Sequence, residues 1–189
     1  MSGQSRIHAI DIEPGDLSDA VISEYDKDGN GALSEAELTA LPPVHDSRSN
    51  YDTDGNGEVS HEELEARFAK VFDPVVGLLP ARCRVTRNGR GLPGAQVRFV
   101  PPQLLEGVLP PASGVTEGDG TAGLRLAPED LPENIPNNRV VVMRPGIYLV
   151  EVTHPEMSIP SQYNTQTTLG KEVFPEILNG PPLPINLKF

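Results

Sequence analysis

A fourteen-residue pattern is written twice in the first third of the chain, YDKDGNGALSEAEL from Tyr25 and YDTDGNGEVSHEEL from Tyr51, with nine of the fourteen positions identical. Each copy sets oxygen-bearing side chains at alternate positions, Asp26, Asp28 and Asn30 in the first and Asp52, Asp54 and Asn56 in the second. A glycine follows at the sixth place (Gly31, Gly57) and a glutamate closes the run at the twelfth (Glu37, Glu63). Turned inward, such a run forms a tight loop in which three carboxylates converge. At that range they repel one another strongly, so folding of this segment is expected to be coupled to capture of a cation.

The donors are all oxygen, and the spacing suits calcium. That ion takes six to eight oxygens at about 2.3–2.6 Å, which a short loop supplies from alternate positions. The sixth position needs a bend that a side chain would obstruct. The seventh offers only its backbone carbonyl, so Ala32 and Glu58 both qualify, and Ser34 and Ser60 at the ninth would act through a water. Glu37 and Glu63 complete the shell with both oxygens. Two Ca2+ ions are therefore expected, one for each loop. The pattern resembles the loops of EF-hands. The resemblance implies that Leu33 and Val59, at the eighth position, pair as a two-residue strand tying the loops together.

Net charge divides the chain. Residues 1–74 hold 17 acidic and 5 basic residues, whereas residues 75–189 hold 10 of each, so the whole imbalance of −12 lies in the half with the loops. An acidic surface attracts cations and argues against a nucleic-acid partner. Of 20 prolines, 17 lie beyond residue 73. The expected organisation is an N-terminal tail (1–14), a helical pair (15–74) and a β-rich domain (75–189). Met1 to Ile12 has neither the charge nor the apolar run of a signal peptide or membrane span. Its small polar residues suit a mature end left by a cleaved export signal, or an expression tag. Cys83 has no partner for a disulfide, and its alternating surroundings read as a buried small hydrophobe.

Leu17, Val21 and Tyr25 recur at four-residue spacing, predicting a helix capped at Asp16 or Ser18 that runs into the first loop. Pro42 and Pro43 stop the next helix near Leu41, leaving Val44 to Tyr51 for a short, polar entering helix. His61 to about Phe72 reads as a firm helix with Leu64, Phe68, Val71 and Phe72 on one side. Sensor EF-hands expose a methionine-rich groove on binding. The methionines here are Met1, Met143 and Met157, none in the helical core, which favours a calcium-stabilised structural unit.

Beyond Val75 the pattern becomes short β-type runs between Gly, Pro and Asn. Ala81 to Thr86 and Ala95 to Val100 are expected to form one hairpin around Arg87 to Arg90. Gly114 to Thr116 and Thr121 to Leu126 form a second, and Val140 to Met143 with Ile147 to Thr153 a third. Pro184 to Phe189 reads as a closing strand. Six or seven strands without helical periodicity argue for a sandwich.

The run from Val85 to Phe99 (VTRNGRGLPGAQVRF), together with Thr116 to Ala122 (TEGDGTA) and Pro145 to Val152 (PGIYLVEV), resembles transthyretin-like, carboxypeptidase regulatory-like domains. The likeness covers about residues 78–189 and rests on turn and core residues, so it implies fold more than activity. Gln103 to Ala112 is an insertion against that family's pattern, Ala122 replaces its usual aromatic, and Ile159 to Thr165 resembles the family's tail. Members are commonly non-catalytic parts of exported bacterial proteins, which implies an extracytoplasmic location. The related purine-pathway hydrolase needs several histidines and a distinct tail, but this half has only His154, and it ends in Leu187-Lys188-Phe189. Asp119 reads as a turn residue, and His45 and His61 lie beside oxygen-rich loops that favour calcium over zinc.

The expected fold is thus multidomain α + β, an all-α EF-hand pair followed by an all-β Greek-key sandwich of the transthyretin type. The expected function is calcium binding without catalysis, in a structural or adhesive module, and the sequence leaves open whether its partner is a protein, a carbohydrate or none. The alternative is a calcium sensor that regulates a protein. Removing the ion is expected to lower the melting temperature of the first half and leave the second largely untouched.

Overall fold

Pro14 at the first helical position, with its φ already set and no N–H to leave unpaired, starts the first helix of the computed structural model, α1 (Pro14–Tyr25). The model describes residues 12–133, 135, 140–176 and 180–189; the reading of Met1 to Asp11 as tail lies outside them. No side chain caps α1. Ser18, one of the two caps expected from the sequence, sits inside the helix and donates its hydroxyl to the Pro14 carbonyl at 2.8 Å. The first loop then leads through β1 (Ala32–Leu33) into α2 (Glu35–Leu38), which ends ahead of the paired prolines.

The entering helix of the second loop is not one element over Val44 to Tyr51. It is a short α3 (Pro42–Asp46) followed by a 3-10 turn (Arg48–Asn50), because both prolines fit the first turn of a helix and restart it two residues early. After the second loop come β2 (Val59–Ser60) and α4 (His61–Val71). Leu33 and Val59 are antiparallel partners, both fully buried.

Among the described residues nine strands follow: β3 (Arg82–Arg87), β4 (Arg90–Gly91), β5 (Gln96–Val100), β6 (Ala112–Val115), β7 (Thr121–Gly123), β8 (Arg125–Leu126), β9 (Gly146–Thr153), β10 (Gly170–Val173) and β11 (Leu183–Leu187). One sheet runs β10-β9-β5-β6-β8; the other runs β11-β3-β4, with β7 also on β3, and among the described residues only the β11–β3 pair is parallel. The expected first hairpin is divided between the sheets. β3 turns back only as far as β4, after which Leu92-Pro93-Gly94 carries the chain across, so that β5 pairs with β6 and β9.

The second expected hairpin divides at Leu124, with β7 on one sheet and β8 on the other. The backbones meet closely at that corner, where a Cβ on Gly114 would lie 2.5 Å from the Gly123 carbonyl oxygen. Val140 to Met143 is not a strand; Met143 makes a single bridge to Leu79. The partner of β9 on that side is β10, too short and mixed to announce itself in sequence.

The helical part and the sheets share one apolar core, continuous from Leu17 to Leu187. Burial along β9 reveals how. Ile147 and Tyr148 are consecutive and both buried, as are Glu172 and Val173 on β10, which pair with Ile147 and Gly146, so these strand ends are covered on both faces. The second cover is the helical pair. Leu105 and Leu109, from the proline-rich insertion, are buried. The turn carrying Leu105 lies against α1. A Cβ on Gly146 would lie 2.7 Å from Leu109 and 3.4 Å from Phe72, at the end of α4. Lys171 bonds Asp46 at 2.6 Å.

Gly170 marks the closest approach, since a Cβ there would stand 2.1 Å from the backbone nitrogen of Pro43. Backbone cannot yield as a flexible side chain can, so Gly170→Ala is expected to cost about 1–3 kcal/mol by prying α3 from β10. Gly77→Ala, whose Cβ meets nothing within 4 Å, is the control. Thermal unfolding of the two variants checks this, and equal melting temperatures would refute the contact.

Candidate metal centre

Each loop is shaped by its own side chains accepting hydrogen bonds from its own backbone. In the first, Asp26 Oδ1 accepts from Gly29 N–H at 2.7 Å and Oδ2 from Gly31 N–H at 2.9 Å. Asp28 Oδ1 accepts from Asn30 N–H at 3.1 Å, and Asn30 Oδ1 from Ala32 N–H at 2.8 Å. The second repeats this: Asp52 Oδ2 with Gly57 N–H at 3.1 Å, Asp54 Oδ1 with Asn56 N–H at 3.0 Å, and Asn56 Oδ1 with Glu58 N–H at 2.7 Å. Gly31 and Gly57 adopt φ of 86° and 94°, a region where a side chain is strained, and this turns the chain under the first acid.

The twelfth-position glutamates are fixed from two sides. Glu37 Oε1 accepts from Lys27 N–H at 2.6 Å, and Oε2 accepts from the Ser34 N–H and hydroxyl. Glu63 Oε1 accepts from the Thr53 N–H and hydroxyl, and Oε2 from those of Ser60. Ser34 and Ser60 therefore also serve as N-caps of α2 and α4, in capping boxes completed by Glu37 and Glu63. The Ser-x-x-Glu spacing at both places was a legible signal that the ligand reading of these serines passes over. Of the two seventh positions, Ala32 lies in the short ladder, paired with Ser60, and Glu58 stands just before β2.

These bonds gather Asp26, Asp28 and Glu37 into one cluster and Asp52, Asp54 and Glu63 into another, each offering carboxylate oxygens within 4.8 Å of one another. The donors are hard oxygens on a flexible loop, the set that suits Ca2+. One atom speaks for a missing partner: Asp52 Oδ1 is buried with no hydrogen bond, a costly state for a carboxylate oxygen that a cation would relieve. With an ion bound, these residues would neutralise it and orient the loop. Asp119, the other candidate acid, is a turn residue that accepts from the Thr121 N–H and hydroxyl.

A model of the EF hand family matches residues 49–69, the second loop with its exiting helix. No curated protein and no solved structure matches the chain. An EF-hand thus occupies residues 49–69, and a second acidic cluster of the same composition lies in the first loop.

The hydrogen bonds set the acidities. Donation from the Ser34 hydroxyl, then from Lys27 and Ser34 N–H, holds Glu37 down to about 2 from its ordinary 4.5. Burial pushes Glu63 up, but bonds from Ser60 and Thr53 outweigh it and bring it to about 2 as well. A carboxyl lowered in the folded chain adds stability that is complete above its unfolded value and lost as pH falls through the folded one. The melting temperature of metal-depleted protein is therefore expected to fall between pH 4.5 and about 2. Ser34→Ala and Ser60→Ala should flatten that fall, and acid profiles parallel to wild type in both variants would show that these bonds do not set the acidities.

Proposed function

We propose that the chain is a calcium-binding protein without catalytic activity, in which two EF-hand loops, each holding one ion, stabilise a β-sandwich and hold its orientation. The observation that carries this reading is the pairing of two all-oxygen clusters on one short ladder, seated on a helical pair that shares its core with the sheets. The ligands would be Asp26, Asp28, Asn30, Ala32, Ser34 and Glu37 for one ion, and Asp52, Asp54, Asn56, Glu58, Ser60 and Glu63 for the other.

The sandwich is read as transthyretin-like, carboxypeptidase regulatory-like, on the motifs that become β3 to β5 and β9. It acts as the presenting surface for a protein or carbohydrate partner, outside the cytoplasm of a bacterium. A non-catalytic role is supported by the state of the reactive side chains. Cys83 is buried, which pushes its thiol up to about 12. His154 is engaged at both ring nitrogens, by the Pro93 carbonyl and the Glu156 N–H. His45 and His61 contact Glu35 and Asp19.

A structural role is favoured over a sensor's because Phe72, Val71 and Val44, which an opening pair would expose, are buried in the common core. Among the described residues no helix is long and apolar enough to cross a membrane.

Calcium titration by calorimetry is expected to give two ions for wild type, and one each for Glu37→Gln and Glu63→Gln. Unchanged stoichiometry in both variants would refute the ligand assignment. Since the halves share a core, ion removal is expected to lower the melting temperature of the whole chain, not of the first half alone as the sequence suggests. Calcium should leave the binding of an apolar dye unchanged or reduced; a large gain would favour the sensor.

A further inference from the structure

Four polar or charged residues are buried among the described residues: Ser18, Arg67, Thr116 and Glu172. Ser18 bonds within its own helix, and Thr116 bonds the backbone at Leu92 and Ala95. The two buried charges face each other across the seam between the helical pair and the sandwich. The side chain of Arg67, on α4, is 8% exposed and that of Glu172, on β10, 4%. The guanidinium bonds both carboxylate oxygens, with Nε 3.2 Å from Oε2 and the second nitrogen on Oε1. Its other side lies over the Phe174 ring, 4.8 Å from the centroid.

Glu172 bonds residues that flank the second loop on both sides, Asn50 before it and Arg67 after it. Arg67 stands one helical turn beyond Glu63, the loop's last acid, so the pair holds α4 near its middle, one turn past the loop. Asn50 Nδ2, two residues before Asp52, lies 3.5 Å from Glu172 Oε1. Between them Tyr51 is fully buried and packs edge-on against Phe68 at 5.9 Å. Its hydroxyl is beside Glu172 without a hydrogen bond of ordinary geometry. The next residue is Asp52, whose Oδ1 is the buried, unpartnered oxygen.

Among the described residues the first loop has no such arrangement. The repeat offset of 26 residues puts Leu41 where the second copy has Arg67, exposed Glu24 where it has Asn50, and a partly buried Tyr25 opposite Tyr51.

We propose that Glu172 is a positioning residue for the second calcium loop, a carboxylate lent by the sandwich that sets the spacing between the loop's first and twelfth positions and so ties calcium affinity at that loop to docking of the two halves. The inference rests on the calcium reading above but adds an asymmetry that reading does not contain: the sandwich acts on one loop and leaves the other alone. A buried ion pair serving only as cement would change stability and leave the two affinities in their wild-type ratio. A positioning carboxylate changes one of them, and by linkage calcium at that loop strengthens the docking by the same factor.

The test is calorimetric titration of the full chain with calcium chloride, adding Glu172→Gln to the Glu37→Gln and Glu63→Gln backgrounds so that each site is read alone. Affinity at the second loop, read in the Glu37→Gln background, should fall by about tenfold, within the usual range of coupling between sites. Affinity at the first loop, read in the Glu63→Gln background, should hold. The rise in melting temperature that calcium gives wild type should shrink in Glu172→Gln.

Equal losses at both loops, or none, with circular dichroism unchanged, would overturn the proposal. Should Glu172→Gln fail to fold, Asn50→Ala trims the same cluster more gently; it should show a smaller loss confined to the second loop, and its absence overturns the proposal equally. A wild type that binds no calcium would sink the site reading and this inference together. Two ions bound, with an effect indifferent to site, sinks the inference alone.

Discussion

Carboxylates brought within a few ångströms of one another are the constraint around which the first half of this chain is arranged. Three of them meet in each loop, within 4.8 Å. The chain answers locally by aiming backbone N–H groups at the oxygens, at Gly31 and Lys27 in one loop and Gly57 and Thr53 in the other. Charged acceptors make strong hydrogen bonds, and those on Asp26, Glu37 and Glu63 keep these three acids ionised below their usual range. The repulsion among them remains, together with a buried unpartnered oxygen on Asp52, and a hard divalent cation is the species that relieves both.

The same serines and glutamates also start helices. Ser34 and Ser60 cap α2 and α4 through the residues that close the loops, so the geometry of each loop fixes where its exiting helix begins. From α4 the chain of contacts continues through Phe72 to Leu109 and through Arg67 to Glu172, into the sheets. The proline-rich segment from Gln103 to Ala112 has a physical role here: Leu105 and Leu109 fill the space between the helices and β9. Docking on this scale, with backbone against backbone at Gly170, makes the two halves one body energetically although their compositions differ sharply.

Sequence by itself determined the loops, because each depends on residues within twelve positions of one another and on chemistry that tolerates few substitutes. It also determined α4, whose apolar spacing is regular, and the existence of short strands beyond Val75. It could not determine how those strands pair. A hairpin reading joins neighbours in the chain, whereas β3 and β5 belong to different sheets, β7 and β8 part at Leu124, and β10 joins β9 with few apolar residues to advertise it.

Nor could sequence show that Glu172 and Arg67, 105 positions apart, would meet. Burial of two charges becomes tolerable only when each is the other's partner, and that pairing comes from the packing of a helix on a sheet edge, to which no local pattern is sensitive. Tertiary structure alone decided that the helical pair covers one face of β9 and β10, and that Asn50 and Arg67, on either side of the second loop, meet Glu172 of the sandwich.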